Sequence, residues 1–142
     1  MKHQIVIPMS HKFSVTYRVY YEDTDAGGIV YHANYLRFCE RVRTEYLRNL
    51  KVSQSDLVRD DKVIFVVRRC EIDYLFPARL DDLIEVSAEV TKTSATSLIM
   101  HQEVRKEDKL LAAMDVVIVC IDSETYRPKK IPENLKNLFD AR

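Results

Sequence analysis

The apolar residues of this chain change period twice, and that limits its fold more than any other feature. From 13 to 21 they alternate: Phe13, Val15, Tyr17, Val19 and Tyr21 fall on one side and Ser14, Thr16, Arg18 and Tyr20 on the other, the pattern of a strand with one buried face. From 33 to 49 the period is helical. Tyr35, Cys39, Val42 and Tyr46 recur at i, i+4, i+7 and i+11, with Leu36, Arg43, Leu47 and Leu50 alongside and Arg37, Arg41, Glu45 and Arg48 opposite. Beyond the helix the period returns to two. Residues 63–67 are an apolar run, Cys70, Ile72 and Tyr74 alternate with charges, and further strands are expected over 84–91, 98–104 and 110–121. Pro77, Asp81-Asp82, the Ser94 region and the turn Lys106-Glu107-Asp108 separate them, and Pro132 opens a short helix over 133–139.

This order predicts an α+β layer: an antiparallel sheet of about five strands with one long helix on one face. The short connections between successive strands require antiparallel pairing, because parallel crossovers need a dozen residues or more. At 142 residues the chain suits one domain, spanning 1–142. A single helix covers only one face of such a sheet, and long apolar edge strands are unsafe in water. Pairing two copies about a two-fold axis removes both problems, so a homodimer at least is expected.

Composition excludes some functions. Lysine plus arginine equals aspartate plus glutamate, and this zero formal charge argues against a dedicated nucleic-acid binder. No stretch approaches the ~20 apolar residues of a membrane span. The N-terminus, Met1-Lys2-His3-Gln4-Ile5-Val6-Ile7-Pro8, lacks a signal-peptide pattern, so a cytoplasmic location is expected. Cys39, Cys70 and Cys120 are far apart and odd in number, which suits buried thiols in a reducing compartment. His3, His11, His32 and His101 show no ligand spacing, so no metal site is expected.

The first place to look for chemistry is the segment between the first strand and the long helix. It holds both glycines of the chain, Gly27 and Gly28, side by side, and a glycine lets the backbone adopt positive φ or approach a ligand closely. Asp25 stands two residues before them, and Ile29-Val30-Tyr31 leads into the helix. The first N–H groups of a helix lack internal partners and carry partial positive charge. A carboxylate facing such N–H groups supplies both halves of an acyl-transfer site, one to attack or activate water and one to hold the oxyanion. Plainer readings exist for the same residues. Aspartates before glycines also make ordinary turns, His32 also suits a helix cap, and Glu40 and Glu45 suit ion pairs with Arg37, Arg41 or Arg48. Tyr31, Tyr35, Phe38 and Phe65 are read as core, with lining of an acyl tunnel the alternative.

The run Tyr21-Glu22-Asp23-Thr24-Asp25-Ala26-Gly27-Gly28-Ile29-Val30-Tyr31-His32-Ala33-Asn34-Tyr35, followed by Phe38, Glu40-Arg41, Arg43-Thr44-Glu45 and Leu47-Arg48, resembles the signature of the 4-hydroxybenzoyl-CoA thioesterase family. The resemblance is dense over 17–50 and closest to the branch associated with the Tol–Pal cell-envelope system of Gram-negative bacteria. It implies a hotdog fold, a curved antiparallel sheet wrapped around one long helix, assembled as a homodimer and often a homotetramer. It implies hydrolysis of an acyl-CoA thioester without a cofactor, the acyl group lying between subunits. The family's catalytic carboxylate falls on Asp25, its carbonyl-polarising amide on His32, and Gly28 keeps the turn open. Tyr31 borders the substrate, and Arg127, Lys129 and Lys130 match the basic residues that receive the coenzyme A phosphates. The chain departs from the aromatic-acyl member at Thr93-Ser94-Ala95-Thr96-Ser97, where that enzyme is basic; Arg68, Arg69 or Lys92 are substitutes. Two rivals remain: a thioesterase acting on acyl groups carried by acyl carrier protein, and a weakly catalytic interaction protein of the envelope machinery.

Overall fold

The computed structural model describes residues 12–141, so the N-terminal reading and His3 and His11 lie outside the described residues. Five strands form one antiparallel sheet: β1 (Phe13–Arg18), β2 (Val63–Tyr74), β3 (Leu83–Thr93), β4 (Ser97–Lys106) and β5 (Lys109–Asp122). Their order is β1-β3-β4-β5-β2, which leaves β1 and β2 at the edges. The long helix α1 (Asn34–Asn49) lies on the inner face, chiefly against β3. A short turn α2 (Gln54–Asp56) runs into a π-helical turn at Leu57–Asp61, and α3 (Glu133–Asp140) closes the chain. The α+β layout, the helix start within one residue and the four strands after it follow the periodicity. The turns between Gln54 and Asp61 had no apolar period to announce them.

Helical spacing brings Tyr35, Phe38, Cys39, Val42 and Tyr46 onto one face of α1, where all are buried. They meet the inward residues of the sheet, among them Val15, Ile84, Val86, Met100 and Val104. Gln102 is the exception in this layer: it points inward and is wholly buried. Its amide donates to the carbonyls of Cys39 and Ser87 at 3.0 and 3.2 Å, and its oxygen accepts from Arg43 at 2.9 Å. It thereby ties helix to sheet, and leaving those groups unpaired would cost about 1–3 kcal/mol each. At the far end of α1, Phe139 of α3 stacks on Tyr46 with ring centroids 6.3 Å apart.

Several expectations need correction. β1 stops at Arg18, so Tyr21 is not on its buried face; it begins a 3-10 turn (Tyr21–Asp23) and is 82% exposed. Ser14, expected outside, is buried, because its hydroxyl donates to Glu85 on β3. Cys70 is exposed, whereas Cys39 and Cys120 are buried with their thiols pushed up by burial to about 12 and about 11. The reason is geometric: Cys70 faces inward on the edge strand β2, within electrostatic reach of Arg43 on α1 but only partly covered by that helix. Phe65 is likewise only half-buried, and Val67 is 51% exposed. No helix among the described residues is long and apolar enough to cross a membrane.

Candidate active site

The segment between β1 and α1 folds back on itself as a small hairpin. Thr24 pairs with Val30; the Asp25 N–H donates to Ile29 O at 2.9 Å and the Tyr31 N–H to Asp23 O at 3.0 Å. Gly28 sits at the tip with φ +77°, the left-handed region that favours glycine, and a Cβ there would meet nothing within 4 Å. Gly27 has the opposite constraint, since its Cβ would stand 3.2 Å from Asp25 Oδ1. The glycine pair thus does two jobs: one turns the chain and the other leaves room for a carboxylate. The hairpin is fixed to the body by Val30 N–H donating to Ala78 O at 2.8 Å and by an Ile29–Arg79 bridge.

Two aspartates of this loop have different surroundings. Asp23 is buried, and each of its oxygens accepts a hydrogen bond, from Asn34 Nδ2 at 2.8 Å and from the Tyr20 N–H at 2.9 Å. Because Asn34 is the first residue of α1, Asp23 anchors the helix start to the strand end. Asp25 is exposed, and its Oδ1 accepts from the Gly27 N–H at 2.8 Å. Its second oxygen has no donor among the described residues.

The helix entry supplies the complementary groups. Tyr31 N–H is taken by Asp23, and Asn34 N–H donates to Tyr31 O at 2.8 Å. Among the described residues nothing accepts from the amides of His32 and Ala33 between them. The aromatic side chains around this turn are held in place. Tyr74 donates its hydroxyl to His32 O at 2.9 Å, and Tyr35 accepts from the Ala78 N–H at 3.0 Å. The Tyr31 and His32 rings lie 4.6 Å apart, and Tyr35 meets Tyr74 edge-on at 5.4 Å. Burial raises the Tyr35 and Tyr74 hydroxyls above the usual phenol range, so both stay protonated near neutral pH. An exposed carboxylate with one free oxygen and a helix start with two free N–H groups thus share one loop.

A thioesterase-like superfamily model matches residues 19–139 of this sequence. The acyl-CoA thioesterase YbgC of Haemophilus influenzae is 41% identical over 92% of this chain and 96% of its own length. The acyl-CoA thioester hydrolase YbgC of an Escherichia coli strain is 47% identical over 83% of this chain and 88% of its own. The chain belongs to the thioesterase-like superfamily. Among solved structures, a probable thioesterase from Bartonella henselae superposes with a TM-score of 0.81 at 33% identity, covering 85% of this chain and 99% of that one. The hotdog layout inferred from the signature is therefore the fold of the chain.

Within this thioesterase fold, the other candidates fall in two places. Tyr31 is 47% exposed beside His32, not in the core, while Tyr35 and Phe38 are core residues as read. Arg127, Lys129 and Lys130 follow β5, where Lys129 N–H donates to Cys120 O and Asp122 N–H to Arg127 O. The Lys129 ammonium is already engaged, at 3.6 Å from Asp122 and 3.1 Å from Asp61 O. Cys120 and Asp122 pair with Phe65 and Val63, whereas Tyr74, which holds His32, is at the other end of β2. In one chain the basic cluster and the Asp25 loop are thus separated by the length of β2, about 35 Å. On the helix, Glu45 pairs with Arg48 at 2.6 Å; Glu40 instead borders a cavity between α1 and β2 that Arg43 and Phe65 also line. His101 lies far from the loop, bonded to both Asp115 and Glu103; burial opposes its charge, but these two carboxylates outweigh it and raise its pKa. Sequence reasoning missed Asp23 as the anchor and Tyr74 as the support of His32. The alternation of β2 gave Tyr74 its face but no sign of its partner.

Proposed function

We propose that this chain hydrolyses acyl-CoA thioesters to a free acid and coenzyme A, acting as a single hotdog domain. The observation that carries the reading is the pairing, on one loop, of the free Asp25 oxygen with the free His32 and Ala33 amides. The amides receive the thioester oxygen as it gains charge, and Asp25 either takes a proton from the attacking water or attacks the carbonyl itself. In the first route the water oxygen bonds to the carbonyl carbon and its proton passes to Asp25. The C–S bond then breaks, and the coenzyme A thiolate recovers a proton. Gly28 holds the turn and Tyr31 borders the acyl group. No cofactor takes part. Relatives named as acyl-CoA thioesterases, aligned over nearly the whole chain, support the same reading.

The working unit is a homodimer built through β2. That strand is an open edge with its inward residues Phe65, Val67 and Cys70 incompletely covered. Antiparallel pairing of two β2 strands about a two-fold axis brings the Val63 end of one chain to the Tyr74 end of the other. The partner's Arg127, Lys129 and Lys130 then approach the Asp25 loop, where the nucleotide phosphates need cations. A cytoplasmic location and an association with the Tol–Pal envelope system follow the branch that the sequence resembles, and a homotetramer is a pair of such dimers. The test is thioester hydrolysis by purified wild type and Asp25→Asn over acyl-CoAs from acetyl to palmitoyl. Turnover that vanishes in a folded Asp25→Asn dimer supports the assignment. Equal turnover removes Asp25 from it, and activity only on acyl-loaded carrier protein moves the substrate to that carrier.

A further inference from the structure

The Asp25 hairpin rests on a turn outside itself, residues 78–82 between β2 and β3. Val30 N–H donates to Ala78 O at 2.8 Å, and Ile29, whose carbonyl accepts the Asp25 N–H, bridges Arg79. The same turn reaches the helix. The Ala78 N–H donates at 3.0 Å to the hydroxyl of Tyr35, in the first turn of α1 just past the free His32 and Ala33 amides. Ala78 is wholly buried, so one residue joins both halves of the site. Asp82 holds this turn together. Its Oδ2 accepts from the Arg79 N–H at 2.8 Å, and its Oδ1 accepts from Lys106 Nζ at the end of β4, at 2.9 Å. Its backbone carbonyl accepts from the Val19 N–H at 2.8 Å, and Arg18 donates to Asp81 O at 2.7 Å. Asp81 stands at φ +71°, in the left-handed region, so the turn depends on these bonds to keep its shape. The Asp82 side chain is 12% exposed. Burial opposes its charge, but Lys106 and the Arg79 N–H outweigh this and hold its pKa below the usual carboxylate range.

We infer that Asp82 is a positioning residue for the hydrolysis: by closing the 78–82 turn on Arg79 and fastening it to Lys106, it sets the spacing between Asp25 and the helix amides. The inference rests on the reading of Asp25 as the working carboxylate. Three features carry it. The hairpin has little of its own to fix it, because Asp25, Ala26, Gly27 and Gly28 are exposed and Ile29 is only half-buried. Such a segment shifts locally without unfolding the domain. The route from one carboxylate to the other is continuous: Asp82 to the Arg79 N–H, Arg79 to Ile29, and Ile29 O to the Asp25 N–H. The chemistry is also sensitive to spacing, since a displacement of about 1 Å costs on the order of 10²-fold in rate. Lys106 pairs with no other carboxylate among the described residues, so the fastening is specific to Asp82.

The experiment measures kcat and KM on the best acyl-CoA of the acetyl-to-palmitoyl series for wild type, Asp82→Ala, Asp82→Asn and Lys106→Met, each below its Tm. Asp82→Ala lowers kcat about tenfold or more and leaves KM within about twofold, because the thioester still binds while Asp25 and the amides lose their spacing. Asp82→Asn keeps an acceptor for the Arg79 N–H and recovers most of that rate, and Lys106→Met falls between the two. The Asp82→Ala change made in Asp25→Asn costs nothing further in kcat, since no working carboxylate is left to misplace. A folded Asp82→Ala with wild-type kcat, an Asp82→Asn as slow as Asp82→Ala, or equal losses in both backgrounds overturns the inference. Where Asp82→Ala fails to fold, Lys106→Met carries the comparison: its kcat falls in wild type but not in Asp25→Asn, or the inference is overturned. Wild type inactive on every thioester, or Asp25→Asn fully active, would contradict the proposed function instead. Hydrogen exchange then reads the fastening by itself. Faster exchange at the Asp25, Val30 and Tyr31 amides of the folded variants, with β4 and β5 unchanged, sustains it, and an unchanged hairpin overturns it.

Discussion

Asp23 and Asp25 lie on the same loop, one residue apart from being neighbours, and the protein treats them in opposite ways. Asp23 is buried with a donor on each oxygen, one the Tyr20 N–H just past the first strand and one Asn34 at the helix start. Asp25 is exposed with one oxygen held by the Gly27 amide and the other open. A carboxylate whose acceptor sites are filled by the protein is committed to structure; one with a free oxygen beside unpaired amides is available to a substrate. A two-residue shift in sequence separates a structural role from a chemical one, because the hairpin points one side chain inward and the other out.

That contrast is open to attack at each residue. The largest effect is expected for Asp25→Asn, which should lower kcat on the order of 10³-fold while leaving the fold intact, as steady-state hydrolysis and circular dichroism would record. Asp23→Ala should do the reverse in kind. It strands the Asn34 amide and the Tyr20 N–H, costing about 3 kcal/mol and roughly 10 °C in Tm by thermal melts. Gly28→Ala should cost about 1–2 kcal/mol, all of it backbone strain at φ +77°, since the added methyl meets no neighbour. An unchanged denaturation midpoint would show that the tip relaxes and does not fix Asp25. Tyr74→Phe should have the smallest effect, about 1 kcal/mol, by releasing the carbonyl of His32. If its kcat falls more than its stability explains, the orientation of the His32 peptide matters to the chemistry as well as to the fold.

The fold was legible in the sequence where one rule dominated. Helical spacing and alternation located α1, β3, β4 and β5 because each has one strongly buried face, and β2 showed by its apolar run and alternation although its inward face is only partly covered. They failed where tertiary contacts overrode the pattern. Tyr21 continues the alternation of β1 on paper, but the Asp23 to Tyr20 hydrogen bonds turn the chain out of the sheet two residues earlier. Cys70 has the spacing of a buried residue and lies on the inward face, but it stands on an edge strand that the described elements cover only in part. Of the candidate site, the glycine pair and Asp25 announced themselves by residue type and spacing. Asp23 did not, because burial separates the two aspartates and sequence carries no record of which one is covered.

The most direct measurement of the account is made on Asp23→Asn and Asp25→Asn side by side, with Tm and kcat taken from the same preparations. Asp25→Asn should keep the wild-type Tm and lose nearly all turnover, while Asp23→Asn should lose Tm by several degrees and keep turnover at temperatures where it remains folded. Full activity in a folded Asp25→Asn, with Asp23→Asn as stable as wild type and inactive, would contradict the assignment of the two carboxylates.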